Sequence, residues 1–317
     1  MTGVYIGFNA YRTHNHEIKA IPALVGAVPE EIQEDDLIYR IDHEGQKHEF
    51  CAGKTAVDVA DRTSPIEGDD NWIQLLSAVL ADIEDDINEL AVALSILNWD
   101  DHEQLKSRLS NPWTVDPYQS EPFILAPKRL EIYPAITAAL YDLHLKLAGG
   151  QLQAQREELL EDRTVLLLLV SSRHTEWILA KGLKPIKGGV LYSGISTVQL
   201  EVRDFFYSRT GSSLLPADAE AALHTSDVEI DEKFVSVENY INVGRKKLAE
   251  ALNRDIEKLQ WQESPDNIFL AGEGLAYVEA SALEKWQNDG IEIVQNPDMA
   301  VLRGLELLLK LTEPSDE

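Results

Sequence analysis

The chain has 317 residues, which favours two domains at the usual size of about 100–200 residues each. Its single cysteine, Cys51, excludes a disulfide framework and a cysteine-cluster zinc site. Lys and Arg number 28 against 55 Asp and Glu, a net charge of −27. This charge disfavours direct binding to DNA or to an anionic bilayer, because affinity for phosphates needs clustered basic side chains.

The apolar runs are short. The longest, Val165–Val170, is far below the roughly 20 residues of a membrane-spanning helix and is typical of a buried strand. The amino-terminal residues lack the basic and apolar regions of a signal peptide. A cytoplasmic protein without membrane insertion is therefore expected.

The first third of the chain predicts strands followed by helices. The predicted strands are Val4–Asn9, Lys19–Val28, a hairpin of Leu37–Ile41 with Gln46–Phe50, and the buried strand Leu90–Leu97. The predicted helices are Trp72–Ile83, which is amphipathic with apolar residues at helical spacing, and Asp100–Leu109.

The remainder continues the alternation. The predicted strands are Phe123–Ala126, a hairpin of Val165–Val170 with Glu176–Lys181, Gly188–Tyr192, Asn267–Ala271 and Ile291–Val294. The predicted helices are Ile132–Leu147, Ser196–Tyr207, Ser236–Leu259, one ending at Trp286, and Ala300–Leu311. Strands that alternate with helices indicate an α/β fold, and the opening and middle of the chain suggest two equivalent halves.

The carboxyl end carries the clearest resemblance to a known family. Residues 267–278 (NIFLAGEGLAYV) and 291–305 (IEIVQNPDMAVLRGL) resemble the closing segment of the ParM/StbA actin-like proteins of plasmid segregation. Pro297, Ala300 and Gly304 keep the family's P-x-x-A-x-x-x-G spacing. The hairpin at 165–181 and the segments at 21–23 and 51–56 also resemble the family in order.

The resemblance implies a bilobed actin-like α/β fold built from ribonuclease H-like repeats. It places residues 1–147 and 297–317 in the first lobe and residues 148–296 in the second. It also implies two similar turns, each with an aspartate for hydrated magnesium and small residues that let backbone N–H groups approach the phosphates of ATP.

The acids that such ATPases need are replaced in this sequence. Tyr5 occupies the aspartate position of the first turn, although Gly7 is kept. In the second turn, Val170 and Trp177 replace aspartates, and only Thr175 persists. A valine cannot bind magnesium.

The position that orients the attacking water holds no acid or amide either. The resemblance places it just after Pro127, at Lys128, which cannot act as a base at neutral pH unless its pKa is strongly lowered. Gly272 and Gly274 keep the turn that touches adenosine in the family. A nucleotide would therefore use Gly7, Thr175, Gly272 and Gly274, and we expect either no cofactor or weakly bound ATP and magnesium. No resident metal site is indicated.

Because these residues are replaced, ATP hydrolysis is disfavoured. The favoured function is that of a filament-forming or scaffolding protein of the ParM type. Two alternatives remain open: an active DNA-segregation ATPase with a rearranged site, and a nucleotide-free adaptor platform. The expected partners are further copies of the chain, a basic DNA-binding or envelope adaptor, or an active paralogue. Direct binding of nucleic acid is not expected.

Overall fold

The computed structural model describes the chain in twelve ranges: 1–7, 9–15, 17–33, 36–43, 45–59, 62–64, 69–81, 83, 87–118, 121–148, 151–155 and 163–312. These residues form two compact units. Unit 1 contains residues 1–94, 98–133 and 215–225, and unit 2 contains residues 95–97, 134–214 and 226–317.

The strands are β1 (Thr2–Ile6), β2 (Asn9–His14), β3 (Glu17–Pro22), β4 (Val25–Gly26), β5 (Ile38–His43), β6 (Gln46–Ala52), β7 (Arg62–Thr63), β8 (Glu89–Leu94), β9 (Trp113–Pro117), β10 (Phe123–Leu125), β11 (Arg129–Pro134), β12 (Leu145–Ala148), β13 (Gln151–Ala154), β14 (Thr164–Val170), β15 (Thr175–Lys181), β16 (Lys184–Leu191), β17 (Asp227–Ile230), β18 (Lys233–Ser236), β19 (Asn267–Ala271) and β20 (Glu292–Ile293).

The helices are α1 (Lys54–Asp58), α2 (Asp70–Leu80), α3 (His102–Ser110), α4 (Ala135–His144), α5 (Ser196–Thr210), α6 (Pro216–Thr225), α7 (Glu238–Glu263), α8 (Ala280–Asn288) and α9 (Ala300–Leu311). Short 3₁₀ helices cover Ile96–Asp101, Glu273–Tyr277 and Pro297–Met299. None of the helices described here is both long and apolar enough to cross a membrane.

The main sheets of the two units share one strand order. In unit 1 the order is β3-β2-β1-β8-β11, and in unit 2 it is β16-β15-β14-β19-β20. Each sheet has three consecutive antiparallel strands, and its first strand then pairs in parallel with a strand from later in the chain. The two halves of the protein are therefore topological repeats, as the sequence suggested.

Unit 1 has a second sheet and a large apolar core. This sheet has the order β10-β9-β5-β6-β4-β7 and contains the predicted hairpin of β5 and β6. Helix α2 begins at an aspartate cap, in which Asp69 accepts a hydrogen bond from the backbone N–H of Trp72 at 2.7 Å. From there α2 buries Trp72, Leu76 and Leu80 in the core. The helix predicted here is confirmed, but its amphipathic character is not, because residues 72–80 are all buried.

Cys51 belongs to the packing of unit 1. Its side chain is fully buried, and its thiol donates a hydrogen bond to the carbonyl oxygen of Ala27 at 3.1 Å. Burial raises the pKa of the Cys51 thiol to about 11. The thiol is therefore neutral at physiological pH and is a core residue rather than a nucleophile.

Several segments differ from the sequence predictions, and β9, β17 and β18 form where no strand was expected. Residues 129–134 form β11, so the helix expected to start at Ile132 starts at Ala135, directly after Pro134. Residues 145–148 form β12 rather than the end of that helix. Helix α6 lies in a region without a predicted element, although it packs into unit 1, where Arg62 Nε donates to Asp218 at 2.9 Å.

The lobe boundaries implied by the resemblance stay a prediction. Helices α4 and α9 both belong to unit 2, where they pack against each other. Arg303 on α9 makes two hydrogen bonds of 2.7 Å to the buried carboxylate of Asp142 on α4. Burial raises the pKa of Asp142, while Arg303 acts in the opposite direction.

Gly304 sets the separation of these two helices. A Cβ atom at Gly304 would lie 1.8 Å from the carbonyl oxygen of Ala138. The backbones of α4 and α9 therefore meet with no side chain between them. The glycine of the P-x-x-A-x-x-x-G pattern thus has a packing reason within unit 2.

We predict that Gly304→Ala destabilises the protein by about 3 kcal/mol, because the added methyl group forces two helices apart. The sign of the change in unfolding free energy is informative, because at a helix position without this close contact alanine stabilises relative to glycine by about 1 kcal/mol. Denaturant unfolding followed by circular dichroism measures the change, with Leu311→Ala at the half-exposed end of α9 as the control. A Gly304→Ala protein as stable as wild type would contradict this packing.

Candidate functional site

The two turns that could contact a nucleotide occupy equivalent places in the repeat. Each follows the first strand of its main sheet: Gly7 lies between β1 and β2, and residues 171–174 lie between β14 and β15. The backbone N–H of Gly7 donates to the carbonyl oxygen of Asn9 at 2.9 Å. Both segments that the sequence analysis assigned to turns therefore connect two strands.

The two strands on either side of the first turn contain no acid. Tyr5 is 4% exposed, and its ring stacks on that of Tyr11, its cross-strand partner, at 6.4 Å. Ile6, the last residue of β1, is apolar and buried. None of residues 1–16 is Asp or Glu. No carboxylate from β1 or β2 can therefore approach a metal at this turn.

Val170 at the second turn is sealed by the glycine turn that follows β19. Its side chain is fully buried. A Cβ atom at Gly274 would lie 2.6 Å from Val170 Cγ1, and one at Gly272 would lie 2.2 Å from the Val170 carbonyl oxygen. Gly272 also has a φ of 102°, which L side chains rarely adopt. Both glycines therefore have a packing role against Val170.

The backbone of the second turn is held by protein groups. The N–H and hydroxyl of Ser171 both donate to the carbonyl oxygen of His174, at 3.0 and 2.8 Å. At the start of α5, the N–H groups of Ile195 and Ser196 donate to the carbonyl oxygens of Ser171 and Ser172. The amino-terminal N–H groups of α5, a type of group that often binds anions, are thus directed at the turn.

Thr175 and Trp177 also make protein contacts. The Thr175 hydroxyl is fully buried and donates to the carbonyl oxygen of Ser193 at 2.6 Å. Trp177 lies against Gly189, where a Cβ atom would be 2.9 Å from its indole nitrogen. Thr175 therefore joins β15 to the segment before α5, and Trp177 covers the glycine of the edge strand β16.

A buried polar cluster beside the second turn escaped the sequence analysis. Glu176 is 2% exposed, and its Oε1 accepts from the backbone N–H of Ile96 at 3.1 Å and lies 3.3 Å from His174 Nε2. The same His174 nitrogen lies 2.8 Å from the Ser95 hydroxyl. Because both neighbours approach one ring nitrogen, the cluster lacks the acid–histidine–serine relay of a hydrolase. No local motif joins Ser95 to Glu176, so sequence alone had no signal for it.

Lys128 is not at the start of a helix. It is exposed in the loop between β10 and β11. The next proline, Pro134, directly precedes helix α4, whose first residue is Ala135. Neither Lys128 nor Ala135 offers an acid or an amide. The structure brings Val170, Thr175, Gly272 and Gly274 together in unit 2, whereas Tyr5, Gly7 and Lys128 belong to unit 1.

Two of the three basic residues at 245–247 contact other side chains of the protein. Arg245 lies over the ring of Tyr277 at 5.8 Å, next to the glycine turn, and Lys247 pairs with Glu201 of α5. Lys246 is exposed. Within the described ranges, no group of three or more His, Cys, Asp and Glu side chains could hold a metal ion.

We predict that Thr175→Val lowers the free energy of unfolding by about 1–3 kcal/mol, since it leaves the buried Ser193 carbonyl without this donor. Thr175→Ser keeps the hydroxyl and serves as the matched control. Chemical unfolding in the absence of nucleotide measures both. If Thr175→Val is as stable as wild type, or if Thr175→Ser loses as much stability as Thr175→Val, the hydroxyl does not have this role.

Comparison with known proteins identified the fold. No family model matches the chain, and no curated protein does. Among solved structures, a non-polymerisable quadruple mutant of pCBH ParM has a TM-score of 0.76 at 14% identity, covering 96% of this chain and 98% of its own. An archaeal actin homologue has a TM-score of 0.72 at 17% identity, covering 98% and 99%. A ParM subunit from a 15-stranded filament of Clostridium botulinum has a TM-score of 0.72 at 14% identity, covering 98% of both chains.

These similarities extend over essentially the whole chain, and the repeated strand order agrees with them. The fold expected from the sequence is therefore confirmed. The chain has the actin-like fold that the ParM proteins and the archaeal actin homologue share.

Proposed function

We propose that this protein is a filament-forming or scaffolding protein of the ParM type that hydrolyses ATP poorly or not at all. One observation carries the second part of the proposal: Val170 is buried beneath Gly272 and Gly274 at the place where the family resemblance requires a magnesium-binding aspartate. A side chain without oxygen, closed off from water, cannot bind hydrated magnesium.

The first turn supports the same conclusion. Tyr5 and Ile6 are both buried, and Glu176, an acid just after the second turn, accepts a hydrogen bond from the Ile96 backbone. Phosphoryl transfer depends on metal charge and positioning, so loss of the acids at both turns removes most of the catalytic machinery. ATP with magnesium would then bind weakly, through backbone groups near Gly7, Thr175, Gly272 and Gly274, or not at all.

The assembly part of the proposal rests on the fold. One of the similar structures is a ParM within a 15-stranded filament, and another is described as a non-polymerisable mutant. Head-to-tail contacts between identical subunits produce open filaments when the rotation does not close a ring. We extend the proposal to a basic adaptor that would link the assembly to plasmid DNA or to the cell envelope, and to an active paralogue that it would scaffold.

We predict that phosphate release from ATP stays near background when the purified protein is incubated with magnesium. Removal of one catalytic group typically costs about 10²–10⁴ in rate, and here several are replaced. A colorimetric phosphate assay, run beside an active ParM as positive control, measures this. A rate equal to that of the control would overturn the proposal. Glu176→Gln would then show whether this buried acid supports a rearranged site.

We further predict assembly without nucleotide that increases with salt. Subunits of charge −27 repel one another. The Debye length falls from about 30 Å at 0.01 M salt to about 8 Å at 0.15 M, so added salt screens the repulsion. Sedimentation and negative-stain imaging across this range, with and without ATP and magnesium, test the point. A protein that remains monomeric at high concentration in every condition would contradict assembly and favour a monomeric adaptor.

A further inference from the structure

The hairpin of β17 and β18 forms a two-stranded sheet of its own in unit 2. Its strands are joined by Asp231 and Glu232, which have φ values of 49° and 62°. A two-residue turn of this left-handed kind usually contains Asn and Gly, since few side chains tolerate it. Here two acids occupy it, so two carboxylates stand at the tip of the hairpin.

The two faces of this hairpin differ sharply. One face carries Val228, which is 6% exposed, with its cross-strand partner Val235. The opposite face carries Phe234, which is 79% exposed, and directly opposite it the exposed side chain of Glu229. Cross-strand neighbours of an antiparallel pair lie about 4.5–5.5 Å apart at Cβ. The ring of Phe234 is thus accessible to a partner and has a carboxylate beside it. We call this surface, with the two tip acids, the hairpin face.

The charge of the hairpin face selects its partner. Residues 227–236 (DVEIDEKFVS) contain four acids and one lysine. The face of an aromatic ring attracts cations, and nearby carboxylates add to that attraction. Arginine suits such a surface better than lysine, because its planar guanidinium stacks on a ring and also pairs with a carboxylate. DNA would be repelled, and a second copy of the same face would be repelled as well.

We propose that the hairpin face, formed by Phe234, Glu229, Asp231 and Glu232, docks a cationic, arginine-containing segment of another protein. The proposal deepens the partner part of the proposed function and rests on it for its biological setting. The arginine stacks on Phe234 while its guanidinium pairs with Glu229, and further basic residues of the segment pair with the tip acids.

The test uses the full chain and two fluorescent peptides of equal length and charge. One contains arginines and the other lysines, and in both peptides glycine and serine separate the basic residues. Fluorescence anisotropy at about 150 mM salt measures their binding. We expect the arginine peptide to bind more tightly, and Phe234→Ala, which preserves the charge, to weaken it about three- to tenfold. Glu229→Gln should lower the affinity further and reduce its dependence on salt.

Trp261→Ala is the matched control, because Trp261 is another highly exposed aromatic residue, 82% exposed, on α7. It should leave binding unchanged. Equal binding by wild type and Phe234→Ala, an equal loss in the Trp261→Ala control, or no preference for arginine would overturn the proposal. So would loss of self-association in Phe234→Ala, since that result would make a second copy the partner.

The same experiments separate this proposal from the proposed function. If wild-type protein fails to assemble yet binds the arginine peptide through Phe234, filament formation fails and the hairpin face stands. If both wild type and Phe234→Ala assemble but neither binds the peptide, the filament stands and the hairpin face fails.

Discussion

Gly272 lies so close to Val170 that no side chain could fit between the glycine turn and the end of β14. A Cβ atom at Gly272 would be 2.2 Å from the Val170 carbonyl oxygen, and the Gly272 N–H donates to the carbonyl oxygen of Pro297 at 2.8 Å. Pro297 opens the turn into α9, where Gly304 meets the backbone of Ala138. Close backbone contacts thus connect the end of β14, the glycine turn, α9 and α4, and at Gly272 and Gly304 a side chain would separate two of these elements.

This constraint bears directly on the nucleotide site. With the glycine turn in place, residue 170 sits in a fully buried environment, where valine contributes to the core at little cost. An aspartate in the same environment would need a cation or hydrogen-bond donors to offset its desolvation. Val170 needs neither. At the second turn the N–H and hydroxyl of Ser171 and the hydroxyl of Thr175 donate to carbonyl oxygens of the protein.

Much of the fold was predictable because the decisive signals are local. The apolar run Val165–Val170 and the alternation that follows it specify the hairpin of β14 and β15, and the repeat places its turn. The end of α4 was harder to predict, because β12 begins directly after His144 with no proline or glycine to mark the boundary.

Other features depend on residues far apart in the chain. Helix α6 joins unit 1 through Arg62 with Asp218 and Ser64 with Glu220, contacts that join segments more than 150 residues apart in the sequence. The cluster of Ser95, His174 and Glu176 is of the same kind. A single sequence gives no indication of such pairings, so the strands on either side of the second turn could be predicted while its buried polar neighbours could not.

The acidity of the chain has a structural counterpart in how its basic residues are used. Arg62, Arg129, Lys187, Lys247 and Arg303 each pair with a carboxylate of the same protein. Cations engaged in this way contribute little to a field that could attract phosphates, whereas the excess acids project a negative potential into solvent. That potential opposes contact between identical subunits and attracts unlike, basic partners. Added salt therefore favours self-assembly, because it screens the repulsion between identical subunits. It weakens association with a cationic partner, because it screens the attraction that steers the two together.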